Sequence, residues 1–443
     1  KMGDGRLSVS AIGHDQSEGD LNRYRGQALV KLTLRSGDAS KVWLVVKGRR
    51  VSMTRLSADD LIEVRQAGLP ALNSPYHFVV EDGASSVVLG VKGLGSDEPF
   101  LPKVDHPGSL PPKWAAGTVL YQVFADRFAN GSKANDPEGT VAWVDQPHFY
   151  NWFGGDVAGV RSKTSYLRGL GIGALYFNPV FDGPSNHRYE TTDYTKIDWR
   201  FGTNAEFSAL TRDLKKQGIK TILDGVFNHT GRDFFAFADI VKRREQSPYA
   251  DWYIVAHFDD PTTPADEFHY KGWWGNRTLP EFSDNAAGDD LHPGPKAYVL
   301  NVTRRWMDPN NDGDPADGID GWRLDVAEEV PLPFWKEWNA FVRRLNPQAY
   351  TVAEFWNDAR RLLTEGGFSA TMNYHAFAFP VKGFLIDGRM SAHDFGRELQ
   401  LRREAYPTAM QFAQQNLIDS HDTERVASMI VNRPIDEPYR NPD

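Results

Sequence analysis

The stretch TNAEFSALTRDLKKQGIKTILDGVFNH, residues 203–229, predicts an amphipathic helix followed directly by a buried strand. Thr203 can cap this helix together with Glu206, and Gly218 can end it. One apolar face of the helix is formed by Phe207, Leu210 and Leu214. An earlier apolar run at 171–181 precedes the helix. Strand, helix and strand in series indicate a parallel sheet with helical crossovers.

The same alternation continues along most of the chain. It predicts seven strands, near 119–124, 172–177, 220–227, 319–325, 350–355, 369–374 and 414–419. Seven is one fewer than a (β/α)8 TIM barrel requires, so we predict an α/β barrel whose eighth strand is not found before Asp443. The long interruption at 230–300 predicts an excursion domain inserted after the third strand.

The N-terminal part has a different pattern. Residues 6–98 contain short alternating runs separated by Gly, Asp and Ser turns, which predict an antiparallel β-sandwich that resembles a carbohydrate-binding domain. The proline-rich segment EPFLPKVDHPGSLPPKW, residues 98–114, predicts a linker. We therefore expect a sandwich domain over 1–105 and a catalytic barrel over 106–443.

Composition excludes several classes of function. A formal net charge of −9 and a pI near 5.8 leave no basic surplus for nucleic acid. No apolar run is long enough to span a membrane. The absence of cysteine excludes disulfides, thiolate nucleophiles and Cys-bound metals. The 13 Trp offer flat surfaces, for which sugars are one candidate ligand.

Polar residues that follow the apolar runs are the candidate functional residues, because active sites of parallel barrels lie at the carboxyl ends of the strands. These residues are Asp224, Asn228, His229, Arg323, Asp325, Glu354, Trp356, His421 and Asp422. Taken alone, Arg323 and Asp325 in DGIDGWRLDVAEEV, residues 317–330, are explained equally well by a structural ion pair. Together the residues suggest catalysis. Arg323 would keep Asp325 ionised while Glu354 retains a proton, as retaining glycoside hydrolysis requires.

The motifs around these residues resemble the four conserved regions of the α-amylase family, in order and spacing, over residues 118–430. The resemblance implies Asp325 as nucleophile, Glu354 as general acid and base, and Asp422 as the third carboxylate, which grips the sugar. It also implies sugar contacts for Asp224, His229, Arg323 and His421. The segment NHRYETTDY is similar to one in which an aromatic ring stacks under the sugar, which implies this role for Tyr189.

Within the family, the leading sandwich and the motifs NWFGGDVAGV and AEFWNDA are most similar to the cyclomaltodextrinase, neopullulanase and maltogenic amylase branch. The resemblance places Trp356 on the aglycone side. The alternative is that Trp356 is a packing residue of the core. It also implies a homodimer and a C-terminal sheet domain, and we expect a further segment after Asp443 to supply the eighth strand. The chain departs from the branch at Glu328 and at LPEFS, residues 279–283, so the preferred substrate stays open.

Two loops carry oxygen donors of the kind that Ca²⁺ prefers. The first resembles a calcium loop of cyclodextrin-handling relatives and offers Asn130, Ser132, Asn135, Asp136, the Gly154 carbonyl and Asp156. The second begins like an EF-hand loop, without its closing Glu, and offers Asp308, Asn310 and Asp312. Turns rich in Asn and Asp explain both loops as well. Two calcium loops would favour a periplasmic or secreted location, and the compartment stays open.

The function we expect is a retaining α-glucan hydrolase that acts on cyclodextrins, pullulan or short maltodextrins. A transglycosylase or sugar isomerase of the same fold uses the same three carboxyl groups and stays open as an alternative. A barrel that only binds sugar is a third alternative, although such barrels usually lose the carboxyl groups that are present here.

Overall fold

A computed structural model describes residues 3–14, 21–24, 27–58, 61–71, 74–102, 110–260, 262–264 and 266–431. The chain forms two compact units. Of the described residues, one unit holds those up to Leu110 with 373–420 and 425–431, and the other holds 111–372 and 421–424. The predicted domain boundary near residue 105 lies outside the described residues, and the predicted domain bounds stay predictions.

The N-terminal residues form two antiparallel sheets. Their strands are β1 Leu21–Tyr24, β2 Gln27–Arg35, β3 Lys41–Val46, β4 Arg49–Ser52, β5 Thr54–Ala58, β6 Ile62–Leu69, β7 Tyr76–Asp82, β8 Ser85–Gly90 and β9 Gly93–Leu94. The strand orders are β1-β2-β6-β5 and β4-β3-β7-β8-β9. Alternate residues of both sheets share one buried core, including Leu32 from β2, Leu44 from β3 and Phe78 from β7. This is the predicted sandwich arrangement.

The second unit is built on a parallel sheet of six strands. They are β10 Leu120–Val123, β11 Ala174–Phe177, β14 Lys220–Gly225, β17 Gly321–Leu324, β18 Tyr350–Ala353 and β19 Ala370–Thr371. Each pairs in parallel with the next along the chain. The helices between them are α1 Val157–Ser162, α2 Thr164–Gly169, α3 Asn204–Lys216, α5 Pro293–Met307, α6 Leu332–Leu345 and α7 Arg360–Thr364. Consecutive parallel order with helical crossovers is the architecture of a (β/α)8 barrel.

Short elements extend two of the crossovers. The antiparallel pair β12 Phe181–Asp182 and β13 Asp193–Ile197 precedes α3. Helix α4 Phe235–Arg243 and the pair β15 Val255–His257 and β16 His269–Tyr270 lie between β14 and α5. These last elements occupy the region that the sequence predicts as an excursion.

Helix α3 forms as its sequence predicts. The Thr203 side chain accepts from the Glu206 amide, and the Glu206 side chain accepts from the Thr203 amide, which completes a capping box. Gly218 has φ +77°, a left-handed conformation that ends the helix without steric cost. The apolar face is buried under the sheet through Phe207, Leu210 and Leu214.

Strand β17 has two faces of opposite chemistry. The Trp322 ring is buried between Phe227 and Trp338, with ring centroids 5.7 Å and 6.5 Å away. Arg323, the next residue, has no exposed surface. Because neighbouring side chains of a strand point to opposite faces, the charged group lies opposite this aromatic layer.

Helices complete the N-terminal unit. They are α8 Phe379–Val381, α9 Ala392–Glu404, α10 Thr408–Gln411 and α11 Val426–Val431, with π-helical turns at Tyr374–Ala378 and Lys382–Ile386. The predicted strand near 414–419 is wrong, because this segment has only an isolated bridge at Gln415. The Asn373 amide donates to the Gln415 carbonyl at 2.9 Å, and the Asn373 side chain donates to Asn416 Oδ1 at 2.8 Å. One backbone bond and one side-chain bond thus connect the two segments, without the run of backbone bonds that forms a strand.

No helix in the described part of the chain is both long enough and apolar enough to cross a lipid bilayer.

Candidate active site

A buried cluster of ion pairs lies at the ends of β14, β17 and β18, with Arg323 at its centre. Arg323 Nη1 lies 2.8 Å from Asp224 Oδ1 and 2.7 Å from Asp325 Oδ1, and Nη2 lies 2.9 Å from Glu354 Oε2. The register of β14 and β17 pairs Asp224 with Arg323. Removing such charges from water is costly unless they are paired. A single guanidinium therefore holds three predicted site carboxyl groups together.

The backbone fixes the two predicted catalytic carboxyl groups. Beyond the strand ends, the Asp325 amide donates to the Gly225 carbonyl at 3.1 Å. The Glu354 amide donates to the Leu324 carbonyl at 2.9 Å. These bonds continue the parallel ladder, so both residues are positioned by the sheet rather than by a free loop.

Val326, directly after Asp325, has a strained backbone. Its φ of 38° and ψ of 51° lie in the left-handed region, which is rare for a β-branched residue. Its amide donates to Glu354 Oε2 at 2.8 Å. Strain at such positions is associated with functional sites. The turn after Asp325 thus gives Glu354 a hydrogen-bond donor in addition to its ion pair with Arg323.

Burial raises the pKa of Asp325 well above its ordinary value. Arg323 lowers this pKa in part, whereas repulsion from Glu354, Asp224 and Asp422 raises it further. Burial also raises the pKa of Asp224. The prediction that Arg323 keeps Asp325 ionised stays a prediction, because burial and Arg323 shift this pKa in opposite directions. One guanidinium does not balance all the carboxyl groups around it, so the pKa values of Asp325 and Asp224 stay above their ordinary values.

Tyr189 and His421 form a stacked pair, with ring centroids 5.6 Å apart and planes inclined by 3°. The Gln122 amide nitrogen lies 2.8 Å from His421 Nδ1, so Nδ1 accepts and Nε2 carries the proton. His421 Nε2 lies 2.7 Å from the Tyr189 hydroxyl, which donates to Asp224 Oδ2 at 3.0 Å. Hydrogen bonds from Gln122 through to Asp224 therefore fix the ring that the sequence predicts to stack under a sugar.

Asp422 is more accessible than the other predicted catalytic carboxyl groups. Its side chain is 41% exposed, whereas that of Asp325 is 8% exposed. Asp422 Oδ2 lies 3.3 Å from His421 Nε2. A substrate can therefore reach Asp422 from solvent, and its role in gripping the sugar stays a prediction.

His229 is neutral, because burial lowers its pKa to about 3. Its Nε2 atom is buried and has no hydrogen-bond partner within the described residues. Its ring stacks on Trp273, with centroids 5.8 Å apart and planes inclined by 22°. The backbone around it pairs with the LPEFS segment, where the Phe282 amide donates to the Asn228 carbonyl at 3.0 Å. The role of His229 as a sugar contact stays a prediction, because its ring is buried.

A family model described as "Alpha amylase, catalytic domain" matches residues 122–439. The chain belongs to the α-amylase family. The predicted resemblance and the predicted TIM-barrel fold with an N-terminal antiparallel sandwich are therefore confirmed.

Curated relatives and solved structures agree with this assignment. Neopullulanase 2 of Thermoactinomyces vulgaris is 41% identical over 71% of this chain and 51% of the relative. A cyclomaltodextrinase of Geobacillus thermopakistaniensis is 36% identical over 96% of this chain and 73% of the relative. A solved cyclomaltodextrinase structure gives a TM-score of 0.82 at 30% identity, over 95% of this chain and 73% of that one. This chain thus spans about half the neopullulanase.

The first predicted calcium loop of this α-amylase family member brings some of its donors together. The Asn130 amide nitrogen lies 2.6 Å from Asp136 Oδ1. A Cβ atom placed on Gly154 would lie 2.4 Å from Asn130 Nδ2 and 2.4 Å from Asp136 Oδ1. The Gly154 backbone is therefore adjacent to both side chains. Asp156 instead caps α1 and accepts from the amides of Gly131, Ser132 and Gly159 at 3.0, 2.7 and 2.6 Å. An Asn130 amide turned to present its oxygen would suit a cation.

The other predicted donors have protein partners. The Asn135 side chain donates to the Arg200 carbonyl at 2.7 Å, and Ser132 Oγ accepts from the Ala134 amide at 3.3 Å. In the second loop, Asp308 and Asn310 both accept from the Asp312 amide, at 3.1 and 3.0 Å. Within the described residues, no group of three or more His, Asp or Glu side chains is arranged to hold a metal ion. Calcium at both loops stays a prediction.

Two further residues around Asp224 and His421 were not predicted from the sequence. Tyr176 is fully buried on β11, and its hydroxyl donates to Asp224 Oδ2 at 2.7 Å. Gln122 on β10 orients His421. Both are polar groups inside apolar strands, the same signal that singled out Arg323. Trp356 is half-buried two residues after Glu354, and its aglycone contact stays a prediction.

Proposed function

We propose that this protein is a retaining α-glucan hydrolase that cleaves α-1,4-glucosidic bonds by double displacement. The observation that carries the proposal is the placement of Asp325 and Glu354 on the two terminal nitrogens of one buried guanidinium, that of Arg323. Retention requires two carboxyl groups about 5–5.5 Å apart on either side of the scissile bond. Ends of adjacent parallel strands suit that separation.

In the first step, an Asp325 oxygen attacks the anomeric carbon while Glu354 donates its proton to the leaving oxygen. The glycosidic bond breaks, and a covalent glycosyl ester forms on Asp325. In the second step, Glu354 takes a proton from water, and the resulting hydroxide displaces Asp325. Asp422 and the Tyr189 ring would hold the sugar. Neutral His229 would form a hydrogen bond with a hydroxyl group of the sugar.

The substrates we propose are cyclodextrins, pullulan and short maltodextrins. The names of the curated relatives, which include neopullulanases and cyclomaltodextrinases, support this range. A solved relative is a cyclic α-maltosyl-(1→6)-maltose hydrolase from Arthrobacter globiformis, with a TM-score of 0.66 at 35% identity. We also propose a homodimer, which light scattering of the purified protein can test.

Chromatography of products tests the reaction class. Incubated with maltotriose, β-cyclodextrin and pullulan in turn, the protein should release glucose, maltose and short oligosaccharides. Longer products than the substrate, formed as the main species, would support a transglycosylase. An isomer as the sole product would support a sugar isomerase. Binding without any product would support a barrel that only binds sugar.

We also propose that Ca²⁺ stabilises the first loop through Asn130, Asp136 and the Gly154 carbonyl. The loop follows β10 and does not include the ion-pair cluster, so the ion would act on stability rather than on the reaction.

Excess EDTA should lower the melting temperature by about 5 °C, because a ligand that binds only the folded state stabilises it. Differential scanning calorimetry provides the measurement. The Asp136→Asn variant should melt lower and respond less to EDTA. Asp312→Asn is the matched variant in the second loop and shows which loop is responsible. An unchanged melting curve in EDTA, with no metal in elemental analysis, contradicts the proposal.

A further inference from the structure

Trp274 combines two energetically unfavourable properties. Its ring is 86% exposed, although tryptophan is a large apolar residue. Its backbone has φ 50° and ψ 29°, in the left-handed region where a residue with a side chain is strained. Strained residues persist where the surrounding structure holds them, and they concentrate at ligand-binding sites. Trp274 is therefore a candidate binding residue.

The turn that carries Trp274 is held firmly. The Trp273 amide donates to the Leu279 carbonyl at 3.0 Å, and the Gly275 amide donates to the Gly272 carbonyl at 2.8 Å. A Cβ atom placed on Gly272 would lie 2.0 Å from the Asn276 carbonyl oxygen, so this position requires glycine. The ring is therefore presented by a closely packed turn, which reduces the entropy cost of binding.

The ring is connected to the active site by stacking. Trp274 stacks on Trp273, with centroids 5.0 Å apart and planes inclined by 17°. Trp273 stacks in turn on His229, a residue predicted to contact the sugar. Trp273 Nε1 and His229 Nε2 are both buried without a hydrogen-bond partner in the described part of the chain. The aromatic stack therefore runs from the exposed Trp274 ring to the buried His229 ring.

From these observations we propose that Trp274 is an outlying subsite that stacks against one glucosyl unit of the α-glucan, beyond the unit held at His229. A pyranose ring has a face of C–H groups and an edge of hydroxyl groups, which matches a flat indole at the end of an aromatic stack. This proposal rests on the proposed function, since it names a further contact for the same substrate. It gives the enzyme a preference for longer chains.

The test compares maltoheptaose with maltotriose. The Trp274→Gly variant removes the ring and also relieves the left-handed strain, so it should fold. Its ratio of kcat/KM for maltoheptaose over maltotriose should fall by about threefold to tenfold, mainly through KM for maltoheptaose. Trp274→Phe should retain most of the ratio. Trp199→Ala, which removes a ring that is 52% exposed outside this stack, should keep the wild-type ratio.

A ratio unchanged in Trp274→Gly, or lowered equally in Trp199→Ala, overturns the subsite. A change in oligomeric mass on Trp274→Gly with an unchanged ratio would instead assign the ring to contact between copies. A binding measurement distinguishes failure of the subsite from failure of the proposed function. If the wild type hydrolyses neither substrate, calorimetric titration with maltoheptaose decides: weaker binding in Trp274→Gly supports the subsite, and equal or undetectable binding in both proteins overturns it.

Discussion

Replacing Asp325 by asparagine should lower kcat on maltotriose by about 10⁴-fold or more, because the amide cannot form the glycosyl ester. The substitution keeps the size of the side chain and a polar atom facing Arg323. Binding of the oligosaccharide should therefore survive, with a dissociation constant within a few-fold of the wild-type KM. Steady-state kinetics and isothermal titration calorimetry provide the two measurements.

Asp320→Asn is the matched control for this prediction. Asp320 lies just before β17 and pairs with Lys220 at 3.1 Å, at the opposite end of the strand from Asp325. Residues at that end of a barrel contribute to stability rather than to catalysis. Asp320→Asn should melt at a lower temperature but retain turnover. Comparable losses of kcat in both variants would contradict the nucleophile assignment.

The difference in stability between Asp325→Asn and the wild type should increase as the pH rises. The pKa of Asp325 is raised in the folded state, so protonated Asp325 stabilises the folded wild type at low pH. This contribution to the free energy of unfolding is lost as the pH rises through the raised pKa. Asparagine has no charge to bury. The variant should therefore gain melting temperature relative to wild type at neutral pH, and the gain should shrink as pH falls.

Replacing Arg323 by methionine should destabilise the fold by about 3–5 kcal/mol at neutral pH, because it leaves several buried carboxyl groups without their counter-ion. Chemical denaturation provides the measurement. The loss should be smaller at pH 5, where the carboxyl groups gain protons. The free energy of unfolding of Arg323→Lys should lie between those of the wild type and Arg323→Met. An ammonium group keeps the positive charge but lacks the two separate terminal nitrogens of the guanidinium.

Arg343→Met is a suitable control, because Arg343 is also largely buried but donates to the Gly367 carbonyl. Burial lowers the pKa of Arg343 to about 10. Its removal should cost less than removal of Arg323 and should show little dependence on pH between 5 and 7. Equal losses for both arginines would argue that Arg323 contributes packing and not charge.

Much of the fold follows from local sequence signals. The capping box of α3, the apolar face of that helix and the left-handed Gly218 are encoded within residues 203–218, so the helix could be predicted. Six of the seven predicted barrel strands are present because each is a short apolar run between turn residues. The strand predicted near 414–419 is absent, since only an isolated bridge forms at Gln415 and an apolar run does not by itself reveal whether a partner strand is present.

The site could be predicted only as a set of residues. Position at strand ends brought Asp224, Arg323, Asp325 and Glu354 together, as the structure places them. The raised pKa values of Asp325 and Asp224 could not be predicted, because they depend on burial and on the number of carboxyl groups around a single arginine. The left-handed backbone of Val326 also escaped prediction, since valine usually avoids that conformation and only the surrounding fold imposes it.

The most direct test of the double-displacement mechanism is mass spectrometry of a trapped intermediate. Treatment with 5-fluoro-α-D-glucosyl fluoride, which slows hydrolysis of the glycosyl ester, should add one fluoroglucosyl group per chain. After proteolysis the added mass should be on the peptide that contains Asp325, and Asp325→Asn should remain unlabelled. Label on any other residue, or continued turnover of the reagent with no covalent adduct and inverted product, would contradict the mechanism.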